Sequence, residues 1–187
     1  MDENISDAEL VDRALLGDLD ANNLLIERHY KTAVSVAYSI LGHVDAANDC
    51  AQEAFLEAAR RLTSLREKAK FGNWIYGIAR QQAILVLRKQ KQHREAMITK
   101  TDESKRLIPI KSPPEQMSKE EKLESIRRAL NEVNEIYREV LVLKYIDGRS
   151  HEDIARILNI SPAAVDKRLM RGKDMLRASL GRWNSDE

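Results

Sequence analysis

The chain has 187 residues, of which 43% are hydrophobic and 33% are charged, and its formal net charge is +1 at pH 7. Such a composition is typical of a water-soluble protein with one domain or two small ones. Without about 18 consecutive apolar residues, and with the polar start MDENISDAEL, we expect no membrane insertion, no secretory signal and a cytoplasmic location. The single cysteine, Cys50, and four scattered histidines exclude an internal disulfide and predict no metal and no cofactor.

The small net charge hides an uneven distribution of charged residues. Residues 1–50 carry 3 basic and 10 acidic side chains, whereas residues 51–100 carry 11 basic and 4 acidic ones. Opposed patches of this kind suit a protein with two kinds of partner, one of them polyanionic. Solvated helix faces produce the same distribution, so charge alone leaves both interpretations open.

Four helices are predicted in the first half of the chain. Ser6 caps a helix over residues 8–16, and a second helix over residues 21–41 ends at Gly42. Asp45 is the expected cap of a third helix that ends near residue 62, and a fourth covers residues 70–93. Four helices with short connections predict a compact bundle, which we assign to an N-terminal domain of residues 1–94.

The helical pattern is interrupted after this bundle. Residues 95–118 contain three of the four prolines and many Ser, Thr and Lys residues, which predicts a flexible linker. Helical spacing resumes in residues 119–187, where apolar positions predict further helices and Leu141, Leu143 and Tyr145 are expected in the domain's own core. The predicted fold is therefore all-α, with two small helical domains joined by a linker.

The last part of the chain has the pattern of a helix-turn-helix. Ser150 caps one predicted helix, and Ser161 caps a second that has Pro162 at its first position. Ile154, Val165 and Leu169 can close a small core between the two helices. The outer face of the second helix then carries positive charge that can reach DNA phosphates and base edges. An ordinary helical hairpin with a charged face remains the alternative. The basic residues on this face are Lys167, Arg168, Arg171 and Lys173.

The fourth predicted helix combines aromatic and basic residues in the segment FGNWIYGIAR and the residues after it. Aromatic side chains can stack on unpaired bases while cations follow the phosphates, as suits single-stranded DNA. Phe71 and Trp74, considered alone, fit core packing better. The pattern therefore leaves open whether this helix is packed core or a nucleic-acid surface.

Three successive segments resemble the extracytoplasmic-function sigma factors, the small two-domain members of the sigma-seventy family of bacterial RNA polymerase. These segments are DAANDCAQEAF at 45–55, FGNWIYGIAR at 71–80 and LVLKYIDGRSHEDIARILNISPAAVDKRL at 141–169. The resemblance implies an N-terminal domain that binds the polymerase clamp and melts the minus-ten promoter element. It also implies a C-terminal domain that docks on the polymerase flap and reads the minus-thirty-five element. A linker then tethers the two DNA-binding modules and raises their effective concentration.

The resemblance assigns roles to three groups of residues. The clamp-binding residues are Asp49, Gln52 and Glu53; the minus-ten residues are Trp74, Arg80, Gln81, Arg88 and Lys89; the minus-thirty-five residues are Ser161, Asp166, Lys167, Arg168, Arg171 and Lys173. The implied protein has no catalytic residue and is a monomer when free. Its implied partners are core RNA polymerase, promoter DNA and an anti-sigma factor.

Three positions depart from the family pattern. Gln81 and Leu85 stand where members usually have Asn and Asp, and Asp166 stands where a basic residue is common. A leucine cannot replace the hydrogen bonds of a carboxylate, whereas Asp166 can accept a hydrogen bond from cytosine N4. We therefore expect an unusual promoter preference.

Two other functions remain possible from the residues alone. A dimeric helix-turn-helix regulator would explain the C-terminal domain but not the acidic segment at 45–55. A protein-binding adaptor would use the basic helix as a protein-docking face.

Overall fold

The computed structural model describes residues 5–98 and 118–185, and all regular structure within these residues is helical. This confirms the predicted all-α fold. None of the helices in the described ranges combines the length and apolar character that a membrane span requires. The N-terminal domain contains α1 (Asp7–Leu15), α2 (Leu19–Leu41), α3 (Val44–Arg61) and α4 (Phe71–Ile98); the C-terminal domain contains α5 (Lys119–Glu132), α6 (Glu135–Leu141), α7 (His151–Leu158) and α8 (Pro162–Ser185).

The helix ends mostly follow the local sequence signals. The Ser6 side chain accepts a hydrogen bond from the Glu9 amide, and Gly42 ends α2 with a φ of 72°. The predicted Asp45 cap is wrong, because α3 begins at Val44 and Asp45 lies in its first turn. The fourth helix is longer than predicted, since α4 continues to Ile98 and includes residues 95–98 of the predicted linker. The remainder of that linker up to residue 117 lies outside the described residues.

Small side chains determine how the N-terminal helices pack. The buried face of α3 consists of Ala47, Cys50, Ala51, Ala54 and Ala58, which let this helix lie close to α2 and α4. From α4, Phe71 and Ile75 enter the core and are 3% and 0% exposed. The core interpretation of Phe71 is therefore confirmed.

The C-terminal domain contains the predicted helix-turn-helix. Ile154, Val165 and Leu169 are buried between α7 and α8, and Asn159 ends α7 in the left-handed conformation with a φ of 52°. A π-helical turn, Val142–Ile146, follows α6. Leu141 and Leu143 are buried as expected, but Tyr145 is 57% exposed, so its assignment to the core is wrong.

The two domains pack against each other in a closed arrangement. Helix α6 and the π-helical turn contact α2, and α7 contacts α4. Val142 of the C-terminal domain is fully buried in a cluster with Ala37, Ile40 and Ala83 of the N-terminal domain. This arrangement determines which candidate binding surfaces face solvent and which face the other domain.

Candidate nucleic-acid interface

The three residues assigned to clamp binding lie together on the outer face of α3. Asp49, Gln52 and Glu53 are all exposed, because the small residues of this amphipathic helix turn toward the core. Glu53 Oε1 lies 3.4 Å from Arg60 Nη1, an exposed ion pair of little energetic weight. The face is therefore acidic and accessible to a basic partner.

Cys50 lies between these residues in the sequence but on the opposite side of the helix. It is 5% exposed, and burial, with a smaller contribution from Asp49, raises the pKa of its thiol. A raised pKa disfavours the reactive thiolate. Cys50 therefore acts as a packing residue.

The residues assigned to the minus-ten element occupy α4 but differ in exposure. Gln81, Arg88 and Lys89 are exposed, whereas the side chain of Arg80 is 41% exposed. Trp74 is half-buried and packs against the core, with its ring centroid 6.0 Å from that of Phe71. Part of the indole is thus committed to packing, and the remainder faces solvent.

A groove between α4 and α7 brings some of these residues together. Its volume is about 810 Å³, and Arg80, Gln81 and Arg88 line it, whereas Trp74 and Lys89 do not. The exposed Leu85, one of the departures from the family pattern, also lines the groove. The lining is basic as well as partly apolar, which suits a strand that carries phosphates and bases.

Sequence reasoning missed several groove residues. Asn73 lies about two turns before Gln81 on α4, and Lys70 lies just before the helix begins, so continued helical spacing from Gln81 would have identified both. Arg156 belongs to α7 and joins the groove only because the domains pack together. No local pattern in the sequence could have found Arg156.

One part of α8, the second helix of the helix-turn-helix, forms a basic surface beside α6. The Ser161 side chain accepts a hydrogen bond from the Ala164 amide at 3.2 Å and caps α8. Lys167, Arg168 and Arg171 line a shallow depression of about 480 Å³ with α6, and Arg171 Nη1 donates to Tyr137 Oη at 3.4 Å. These three cations can follow a phosphate backbone.

Asp166 and Lys173 lie on another part of the same helix. Asp166 Oδ1 lies 2.8 Å from Nδ1 of His151, the first residue of α7. Lys173 Nζ lies 5.4 Å from the ring centroid of Tyr145, a cation–π contact. His151 thus contacts Asp166, and their separation of 15 positions in the sequence concealed this contact. Of the six predicted residues, Ser161 caps α8 and the other five are divided between two sides of the helix.

The geometry provides binding surfaces of opposite charge. Among residues 5–98 and 118–185, no three His, Cys, Asp or Glu side chains are grouped as a metal site requires. The acidic face of α3 and the basic surfaces of α4 and α8 can bind a basic protein element and nucleic acid, respectively.

Family models match both domains. The model described as Sigma-70 region 2 matches residues 25–93, and the model described as Sigma-70, region 4 matches residues 123–176. The chain is 32% identical to the ECF RNA polymerase sigma factor SigW of Bacillus subtilis (strain 168), over 88% of this chain and 91% of that protein. It is 30% identical to the ECF RNA polymerase sigma-E factor of Escherichia coli (strain K12), over 94% and 95%.

Solved structures share the two-domain helical fold. CnrH, in complex with the cytosolic domain of CnrY, aligns with a TM-score of 0.67 and 23% identity over 94% of this chain and 97% of that chain. The sigma factor RpoE from Bartonella quintana, in complex with the anti-sigma factor NepR, aligns with a TM-score of 0.61 and 22% identity over 87% and 96%.

Proposed function

The chain belongs to the extracytoplasmic-function sigma factors of the sigma-70 family, and we propose that it binds core RNA polymerase, directs it to particular promoters and promotes strand opening. In this proposal residues 1–94 bind the clamp and the minus-ten element. Residues 119–187 bind the minus-thirty-five element, and residues 95–118 tether the two. Nucleotide addition belongs to the polymerase, and this chain supplies no catalytic residue.

The observation that carries this proposal is the exposed acidic face of α3. Asp49, Gln52 and Glu53 project from one side of a helix whose other side is buried. A basic coiled coil of the polymerase would neutralise this face. A dimeric regulator that binds operator DNA would not explain the acidic face of α3. A protein-binding adaptor would not explain a helix-turn-helix with a basic outer face.

We assign the minus-ten strand to the exposed face of α4. Arg80, Arg88 and Lys89 would contact phosphates, Gln81 would contact a base edge, and the accessible edge of Trp74 would stack on an unpaired base. Leu85 offers only apolar contact, so a thymine methyl group suits its position better than a polar edge. This contact is the proposed origin of an unusual minus-ten preference.

We assign the minus-thirty-five element to α8. The DNA phosphates would be contacted by Lys167, Arg168, Arg171 and Lys173. The hydroxyl of Ser161, at the start of α8, would donate a hydrogen bond to the DNA backbone. Asp166, held by His151, would accept a hydrogen bond from cytosine N4. A carboxylate at this position repels phosphate, so it favours a base edge over the DNA backbone.

The proposal also includes regulation by an anti-sigma factor. The relatedness to RpoE, whose solved complex contains the anti-sigma factor NepR, supports a partner of this class. The proposed place of action is the cytoplasm, and the proposed free form is a monomer. Such a partner would compete with polymerase for the same exposed surfaces.

The test is binding of a forked promoter DNA that carries a fluorescent base, with the protein alone and with purified core polymerase. We expect specific binding and strand opening only when core is present. Reversal of Asp49 and Glu53 to lysine should abolish both, because two like charges would then face a basic partner.

A matched control reverses two exposed acidic residues outside α3, Glu9 and Asp20, to lysine. This control should retain strand opening. Specific duplex binding by the free protein, with no effect of core, would instead establish the dimeric regulator. Absence of DNA binding under every condition would establish the adaptor.

A further inference from the structure

One residue of the proposed minus-ten surface is bound by the other domain. Arg80 Nε donates to Glu139 Oε1 at 2.9 Å, and Glu139, on α6, is only 2% exposed. A DNA phosphate would have to replace this carboxylate to bind the same donor. The closed arrangement therefore places an internal anion where the proposed ligand would bind.

The neighbouring Arg138 attaches α6 to the end of α2. Its Nε donates to the Ser39 carbonyl at 2.5 Å and its Nη2 to the Ile40 carbonyl at 2.9 Å, while the side chain is almost fully buried. Carbonyl oxygens in the last turn of a helix lack N–H donors within the helix, and a cation there also faces the negative end of its dipole. Arg138 thus caps a helix of the other domain.

A third polar contact lies at the end of the π-helical turn. Asp147 Oδ2 accepts from Thr32 Oγ1 of α2 at 2.8 Å and from Arg149 Nε at 2.7 Å. Asp147 Oδ1 is buried, and it has no hydrogen-bond partner within the described part of the chain. A buried carboxylate oxygen without a partner costs free energy. The interface between the domains therefore contains well-defined hydrogen bonds, but one of its buried polar atoms lacks a partner within the described residues.

Glu139 also limits the strength of closure. Burial raises the pKa of Glu139, although Arg80 acts in the opposite direction, so the ionised carboxylate is less favourable here than in water. Buried ion pairs commonly contribute little net stability because desolvation offsets their attraction. Apolar residues of both domains also share a buried cluster, for example Ile75 of α4 and Val140 of α6, and Val142 packs in a second one. The polar contacts between the domains suit an interface that can open.

Closure does not affect all candidate surfaces equally. The clamp-binding face of α3 is exposed in the closed arrangement, and Asp166 on α8 is 60% exposed. Arg80 is held by Glu139, and the groove beside it is bounded by α7. The closed protein thus presents its proposed polymerase-binding face while part of its minus-ten surface is occupied.

We propose that α6 is a reversible latch, in which Glu139 holds Arg80 and suppresses binding of the minus-ten strand until the domains separate on the polymerase. This proposal rests on the function proposed above for α4. It predicts that the free protein binds single-stranded DNA weakly because only the open fraction is competent, and that opening the latch raises the apparent affinity.

The test measures domain separation and DNA binding independently. Dyes at Ala59→Cys on α3 and Ala178→Cys on α8, both exposed positions, report separation by energy transfer in a Cys50→Ala background. Fluorescence anisotropy with short labelled single-stranded DNA of random sequence reports binding. Glu139→Arg places a cation against Arg80 and should lower transfer and raise affinity at least about tenfold.

Three further variants make the result interpretable. Glu152→Arg makes the same charge change at an exposed position and corrects for the added positive charge. Adding Arg80→Glu to Glu139→Arg restores an ion pair with reversed polarity and should restore the transfer efficiency. If circular dichroism shows that Glu139→Arg is unfolded, Val142→Lys serves instead, because it places a charge at a different buried contact of the interface.

Unchanged energy transfer in both Glu139→Arg and Val142→Lys would overturn the latch. Opening without a gain in DNA affinity beyond Glu152→Arg would also overturn it, because Arg80 would not be sequestered. Failure of the proposed function would be recognised by a different result. In that case the wild-type protein would not open promoter DNA with core polymerase, whatever the energy transfer shows.

Discussion

Substitution of Gly42 by alanine tests the contact between the domains. Gly42 follows α2 with a φ of 72°, which a side chain disfavours. A Cβ atom there would also lie within 2.9 Å of Asn131 Cγ, and closer still to Asn131 Oδ1. Gly42→Ala therefore combines local backbone strain with a collision against α5.

The expected magnitude follows from these two contributions. The left-handed conformation costs about 1–2 kcal/mol for a residue with a Cβ atom. Displacing Asn131 removes its acceptor contact with Arg138 Nη1 at 3.2 Å, a further loss of about 0.5–1.5 kcal/mol. We therefore expect about 1.5–3.5 kcal/mol of destabilisation and a lower energy transfer between the dyes on α3 and α8.

Gly17→Ala provides the matched control. Gly17 has a φ of 90°, but nothing lies within 4 Å of its would-be Cβ atom, so this variant should lose only the conformational contribution. Urea denaturation gives the free energy of unfolding of both variants. Equal losses in the two variants, with unchanged energy transfer, would refute the contact between Gly42 and Asn131 and with it this part of the interface.

Two further predictions concern α8 and its contact with α7. Ser161→Ala should destabilise the protein by about 1 kcal/mol through loss of the cap, whereas Ser161→Asp should retain stability and weaken binding to minus-thirty-five DNA through repulsion of phosphate; equal stability of both variants would exclude the capping role. His151→Ala should broaden the base preference at the position that Asp166 reads, measured by selection from a randomised promoter library, and an unchanged preference would show that Asp166 needs no support from α7.

Local signals in the sequence predicted most of the individual elements. Ser150 and Ser161 cap their helices, and Ile154, Val165 and Leu169 form the small core that their spacing predicted. Capping and amphipathic spacing act within a few residues, which is why they can be read from one segment at a time. The same logic correctly grouped Asp49, Gln52 and Glu53 on one exposed face of α3.

Local reasoning failed where a nonlocal contact decided the outcome. Tyr145 has helical spacing with Leu141, yet the π-helical turn changes the direction of the side chains and leaves Tyr145 exposed beneath Lys173. The groove between α4 and α7 is lined by Arg80 but not by Trp74 or Lys89. Which residues of α4 border α7 depends on how the helices pack, and spacing within α4 does not specify it.

The sequence by itself determined the helical fold, the helix-turn-helix and the family, because each depends on local periodicity or on motifs in a fixed order. Only the tertiary structure decided that Glu139 meets Arg80, that Arg138 caps α2, and that His151 holds Asp166. The pairs that join the two domains lie 59 and 99 residues apart in the chain. Contacts between residues so far apart in the sequence depend on how the two domains pack. Through the contact of Glu139 with Arg80, that packing makes the proposed minus-ten surface of α4 depend on the position of the C-terminal domain.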